Sequence, residues 1–240
     1  MFSAARQITD QDVRSTTSSR VSGIRLGEVG TTIDGRVFRY AQAGATDLDP
    51  GKLTVNADVD TDVVNKTVAA TVAANAVEVV LDAAGAVTAD TYRDGYLTVN
   101  DATGEGISYR VTGNTATTGA AELTAYLQEP LKVGLTVDVS EVTLNQNPWD
   151  DIVISATDQA DMPTGVPNVT IDDADYGWVQ TGGVCSVLFD EAVAKGLALT
   201  IGTGVAGAVE ALDAAGEFQI GVALMAGVDT EYQPAFLTMN

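Results

Sequence analysis

At 240 residues with 45% of them hydrophobic, the chain can bury a sizeable core, which excludes disorder throughout. Its 12 basic against 33 acidic residues leave a formal charge of −21, a field that repels phosphate backbones and anionic headgroups, so neither nucleic acid nor membrane is expected as a partner. With no histidine and one cysteine, Ser-His-Asp and Cys-His catalysis, His-based zinc sites and intrachain disulfides are all excluded.

Residues 1–24 (MFSAARQITDQDVRSTTSSRVSGI) are rich in Ser, Thr, Gln and Arg without apolar periodicity, and read as an extended or disordered arm. The first forty residues are basic, at +2, whereas the rest of the chain carries −23. Arg6, Arg14, Arg20 and Arg25 are therefore the expected contacts to an acidic partner, with Met1, Phe2, Val13 and Val21 as apolar anchors. No apolar run of signal-peptide length opens the chain and none nears ~18 residues, so synthesis in a cytoplasm without a classical export signal is expected.

The first clear element is a hairpin, Val29–Ile33 and Arg36–Tyr40, whose Asp34-Gly35 link predicts a two-residue type I′ turn. Short β-type runs follow at Thr67–Val72, Ala76–Leu81, Gly95–Asn100, Ile107–Thr112, Glu122–Gln128, Glu141–Gln146 and Ile152–Ser155. Beyond the Pro/Gly-rich Met162–Pro167, a second series covers Asn168–Ile171, Tyr176–Thr181, Val184–Phe189, Leu197–Ile201, Phe218–Met225 and Ala235–Met239. The prediction is an all-β chain: an arm over 1–24, then two β-sandwich or barrel-like domains over 25–160 and 161–240. Helix signals are confined to 190–195 and 206–215, both short.

Several stretches mimic functional motifs. Gly202-Thr-Gly204-Val-Ala-Gly207 fits a dinucleotide fingerprint, but too little chain follows to complete a parallel sheet, so no cofactor is expected. Asp58, Asp60 and Asp62 open like a calcium loop, yet Val63 and Ala69 stand where its glycine and bidentate glutamate belong; Asp172, Asp173 and Asp175 form a looser version. Both read as solvated acidic loops, with no metal expected. Cys185 and Trp178 read as core residues, and Trp149 as either a core residue or a stacking platform. No catalytic residues stand out; a pair of acids of the glycosidase kind is the surviving enzymatic alternative.

Gly30–Tyr40 with the following Ala43–Lys52, Asp94–Gly106, Tyr176–Cys185 and Gly221–Thr238 together resemble head decoration, or cement, proteins of tailed bacteriophages. The resemblance implies a non-enzymatic virion protein on the capsid exterior, binding the major capsid protein, with copies of itself as second candidate partner, and stabilising contacts between capsomers. The family supplies no catalytic residues. A cell-surface or receptor-binding β module is the alternative reading, with loops 82–95 and 156–175 as its recognition surface.

Overall fold

The computed structural model describes residues 5–239. Strands account for 41% of the chain and helix for 3%, so the protein is all-β, as its alternating apolar pattern requires. It divides into two compact units: residues 1–57 together with 148–240, and residues 58–147, which are inserted into the first.

The first unit opens with β1 (Arg6–Gln7), the single-turn helix α1 (Asp10–Val13), β2 (Val29–Thr31), β3 (Val37–Gln42) and β4 (Thr54–Val55). The segment expected to be a loose arm is folded over its described residues. β1 pairs in parallel with β2 through Arg6↔Gly30 and Gln7↔Thr31, and Thr17 exchanges backbone hydrogen bonds with Tyr176. Helix α1 exists because Thr9 and Asp12 form a reciprocal capping box, which satisfies end donors that a four-residue helix would otherwise leave open. Ile8 and Val13 then drop into a cluster with Leu26, Phe38, Tyr40 and Trp178. Two apolar residues five apart carry no period, which is why this docking is invisible in the sequence pattern. Met1 and Phe2 lie outside the described residues.

The β2–β3 hairpin forms at the expected place with a different turn. Only Gly35 of the Asp34-Gly35 pair has positive φ, at 84°, while Gly35 N–H bonds Thr32 O and Thr32 N–H bonds Arg36 O. This is a turn over residues 32–35 ending in a glycine bulge rather than type I′, and it leaves Ile33 93% exposed at the tip.

The inserted unit holds β5 (Lys66–Thr67), β6 (Glu78–Ala83), β7 (Ala86–Val87), β8 (Tyr96–Asp101), β9 (Ser108–Asn114), β10 (Thr117–Thr118), β11 (Ala121–Leu127) and β12 (Glu141–Asn145). Six of these form one sheet in the order β5-β12-β8-β9-β11-β6, and the bridge Val68↔Leu81 brings its two ends together into a nearly closed barrel. Alternate residues of the strands fill it: Val79 and Leu81, Leu97 and Val99, Leu123 and Ala125, Val142 and Leu144.

The chain then returns to the first unit with β13 (Val153–Ile154), β14 (Pro163–Pro167), β15 (Tyr176–Leu188), β16 (Ala198–Ile201), β17 (Val209–Ala211), β18 (Gly221–Ala223) and β19 (Tyr232–Thr238). The main sheet runs β1-β2-β3-β15-β19-β18-β16-β17, with β4, β13 and β14 attached beside it. Its inward residues, among them Val187, Leu199, Ile201, Val209 and Leu237, make a second core.

Two expectations are corrected here. The division falls at 57/58 and 147/148, not near 160, and Pro163–Pro167 is a strand: its prolines stand at the two ends of β14, where a missing N–H costs no ladder bond. Residues 190–195 and 206–215 are not helical; Val209–Ala211 is a strand paired with β16, so sheet pairing overrides alanine-rich helix propensity.

Candidate functional site

A concavity lies in the first unit, where β15 changes direction. The two halves of this strand have different neighbours: residues 176–182 pair with β3, and residues 182–188 pair with β19. The register shift between Gln180 and Gly182 and the positive φ of Gly183, 85°, bend the strand. Gly183 is required there, since a side chain would be strained and would press Arg36 Cγ at 3.1 Å. Gln180, fully buried, pins the bend by donating its amide N–H groups to Gly182 O (3.0 Å) and Val184 O (2.9 Å) and accepting from Asn168 Nδ2 (3.2 Å).

The bend encloses a cleft of about 320 Å³. Its floor is Gln180, Asn168 and Cys185, its wall Pro50 and Tyr232, and its rim Arg14 and Arg36. Pro50 and Tyr232 also border a second, more open concavity of about 540 Å³ beside Asp49 and Lys52. Among the described residues no Asp or Glu lines the cleft itself.

Arg36 is clamped from behind. It donates through Nε to Asp34 Oδ2 at 2.8 Å and through Nη2 to Asp10, while Thr32 Oγ1 also donates to Asp34. The Thr32 hydroxyl, and then Arg36, hold the Asp34 carboxyl below its ordinary value; Arg36 keeps its proton more firmly than usual because these two bonds outweigh its burial. Arg14 is the C-cap residue of α1; its backbone N–H donates to Gln11 O, and its side chain makes no hydrogen bond or ion pair among the described residues. Arg14 is thus the rim cation left without a carboxylate partner, on a chain of charge −21.

Of the arginines expected at an interface, Arg14 reaches this cleft and the others do not. Arg6 is bound to Glu28 at 2.6 Å and to Gly23 O, Arg20 donates Nε to Ile24 O, and Arg25 is exposed beside Glu28, which accepts its backbone N–H. Arg36 was legible only as one of six early arginines, and the Gly182-Gly183 pair inside a strand-like run was the signal for the bend.

The motif mimics resolve into structural roles. The loop Gly202–Gly207 joins β16 to β17, and its amides are already taken: Asp190 Oδ2 accepts from Gly204 N (2.8 Å) and Val205 N (3.3 Å), and Glu210 accepts from Thr203. The chain's own carboxylates sit where a phosphate would. Asp60 caps the 3-10 turn Thr61–Val63 and accepts the Tyr92 hydroxyl at 2.8 Å; burial, then Asp60, raise the Tyr92 phenol. Asp172 and Asp175 close a turn through Asp175 N–H and Asp172 O, and Asp47 accepts from Asp173 N–H. Among the described residues no group of three or more His, Cys, Asp or Glu side chains is placed to hold a metal ion.

Trp178 is in the core, edge-on to Tyr40 at 5.2 Å. Trp149 is half-buried, donates Nε1 to Thr164 O and carries the Arg39 guanidinium over its ring at 4.5 Å, so it is a packing platform rather than an open stacking one. Cys185 is buried in the cleft floor, where desolvation pushes its thiol up to about 12.

Beside the cleft the outer face of the sheet carries a row of apolar residues. Registers Val184↔Phe236, Phe236↔Val222 and Val222↔Ala198 set four such residues in one row across β15, β19, β18 and β16. Val184, Phe236 and Tyr232 are about half exposed, at 51%, 46% and 48%. Comparison of the chain with protein-family models, with curated proteins and with solved structures gave no match.

Proposed function

We propose that the protein is a non-enzymatic structural component of a tailed-bacteriophage head, binding the outside of the shell through the major capsid protein and strengthening contacts between capsomers. The observation that carries this reading is the apolar row Val184–Phe236–Val222–Ala198 on an open sheet face of a strongly acidic chain. Surface rows of this kind are where large, flat protein partners dock. The sequence resemblance to head decoration proteins supplies the partner, and an all-β chain suits a load-bearing role. The Arg6, Arg20 and Arg25 side chains are committed to their own segment or lie away from the row, so attachment runs through the folded β surface rather than through a loose arm.

Cosedimentation with empty heads of the cognate phage tests it. Phe236→Glu and Val184→Glu should each abolish decoration while leaving the melting temperature within a few degrees, because both side chains face outward. Wild-type occupancy by both variants overturns the docking face; failure of the unaltered protein to bind heads overturns the virion assignment.

A further inference from the structure

The cleft in β15 contains a feature that ordinary pockets lack: a short free strand edge. Phe189 donates its N–H to Glu231 O and accepts from Thr230 N–H, and Met239 donates to Thr181 O, so the odd-numbered residues of this half of β15 turn their backbone groups toward β19. Val184, Ser186 and Leu188 turn theirs the other way. Leu188 N–H finds Gly51 O at 2.9 Å, and β3 ends its pairing at Val37↔Gly182. Between these two points the register of β15 gives Val184 and Ser186 no strand partner on their outward side among the described residues. Val184 O is occupied by Gln180, so the open edge offers donors, roughly 7 Å apart along the strand.

We infer that this cleft binds an extended acidic peptide segment of a partner protein by adding it as a short strand to the Val184–Ser186 edge, with Arg14 holding a carboxylate. Two backbone carbonyls of the peptide accept from Val184 and Ser186. Arg14, open to solvent, takes a carboxylate side chain, while Arg36, fixed by Asp34 and Asp10, shapes the rim. Alternate apolar side chains of the peptide face Tyr232 and Pro50 and continue onto the apolar row at Val184. The choice of an acidic segment follows from Arg14, the lining cation whose side chain has no ion pair; Arg36 is already neutralised by Asp34 and Asp10. The choice of a peptide over an anionic sugar follows from the paired N–H edge, which matches the two-residue repeat of an extended backbone. The inference stands apart from the virion reading, because it fixes what a partner presents and not which assembly the partner belongs to.

Fluorescence anisotropy with a labelled hexapeptide of alternating valine and glutamate, with its valine and glutamine counterpart as control, tests this on the full chain. The glutamate peptide should bind, the glutamine peptide about tenfold or more weaker, and Arg14→Ala should weaken the glutamate peptide by a similar factor at unchanged melting temperature. Amide NMR supplies a readout independent of any variant: the Val184 and Ser186 N–H resonances should shift and their hydrogen exchange should slow on saturation with peptide. Absence of binding at millimolar peptide, equal binding of the two peptides, binding indifferent to Arg14→Ala, or tighter binding of a uronate oligosaccharide than of the peptide would each overturn the inference. None of these outcomes bears on whether the protein sediments with phage heads.

Discussion

Shortening Ile8 is the sharpest probe of how the first unit is held together. Ile8 is 4% exposed and its Cδ1 lies 2.7 Å from where a Cβ on Gly30 would stand, with the Trp178 ring at 2.8 Å from the same point. The residue therefore fills a space left by a glycine, against the largest side chain of its cluster. Ile8→Ala removes three buried carbons and leaves a cavity that the sheet beneath cannot collapse into, at a cost of about 2–5 kcal/mol. For a domain of this size each kcal/mol lowers the melting temperature by about 2–4 °C, so a loss near 3 kcal/mol corresponds to about 6–12 °C. Ile8→Val should cost about 0.5–1.5 kcal/mol. Deleting residues 1–24 should cost more than Ile8→Ala, because Val13 leaves as well and Trp178 meets water, which shifts its emission to longer wavelength. Circular dichroism and tryptophan fluorescence on heating measure both effects. If Ile8→Ala and the deletion each melt within about 1 °C of the unaltered protein, the segment is not docked and the cluster as described is wrong.

Three further outcomes follow from named contacts. Asp190→Ala should cost about 1–3 kcal/mol, because Gly204 and Val205 N–H groups lose their shared acceptor, and saturating NAD or ATP should not raise the melting temperature of the unaltered protein. A nucleotide at 100 times its dissociation constant would add about 2.7 kcal/mol, so a clear rise would restore the phosphate-loop reading. The Asp12 carboxyl is held below its ordinary value by the Thr9 hydroxyl and then the Thr9 N–H, so its contribution to the α1 cap is present above the unfolded pKa and lost as pH falls from about 4 through the depressed value. The protection of the Thr9 amide, the exchange rate of an unstructured amide at the same pH relative to its own, should fall over that window and stay constant between pH 5 and 8; constant protection through the window would remove the box. At pH 8 the Cys185 thiol should react with a disulfide reagent far more slowly folded than unfolded, having roughly a thousandfold less thiolate. Equal rates would mean the cleft floor is open.

The fold class was legible because strand burial leaves a period-two trace: Val79 and Leu81, Leu97 and Val99, Leu123 and Ala125 are readable as one face each. What pairs with what was not. Strands β3 and β15 are more than 130 residues apart, and the insertion of residues 58–147 between β4 and β13 leaves no compositional mark, while the Pro/Gly signal at 162–167 belongs to a strand. The site was legible in fragments: Arg14 through local charge, Gly182-Gly183 through two glycines within a strand-like run. Their meeting with Asn168 and Gln180 depends on tertiary pairing, which no local pattern encodes.

Electron microscopy of heads assembled with and without the protein tests the central claim most directly. The account predicts discrete all-β density on the outer surface of the shell, present only when the protein is added, with Phe236 and Val184 toward the capsid protein. Density inside the shell, on the tail, or nowhere at saturating protein would contradict it.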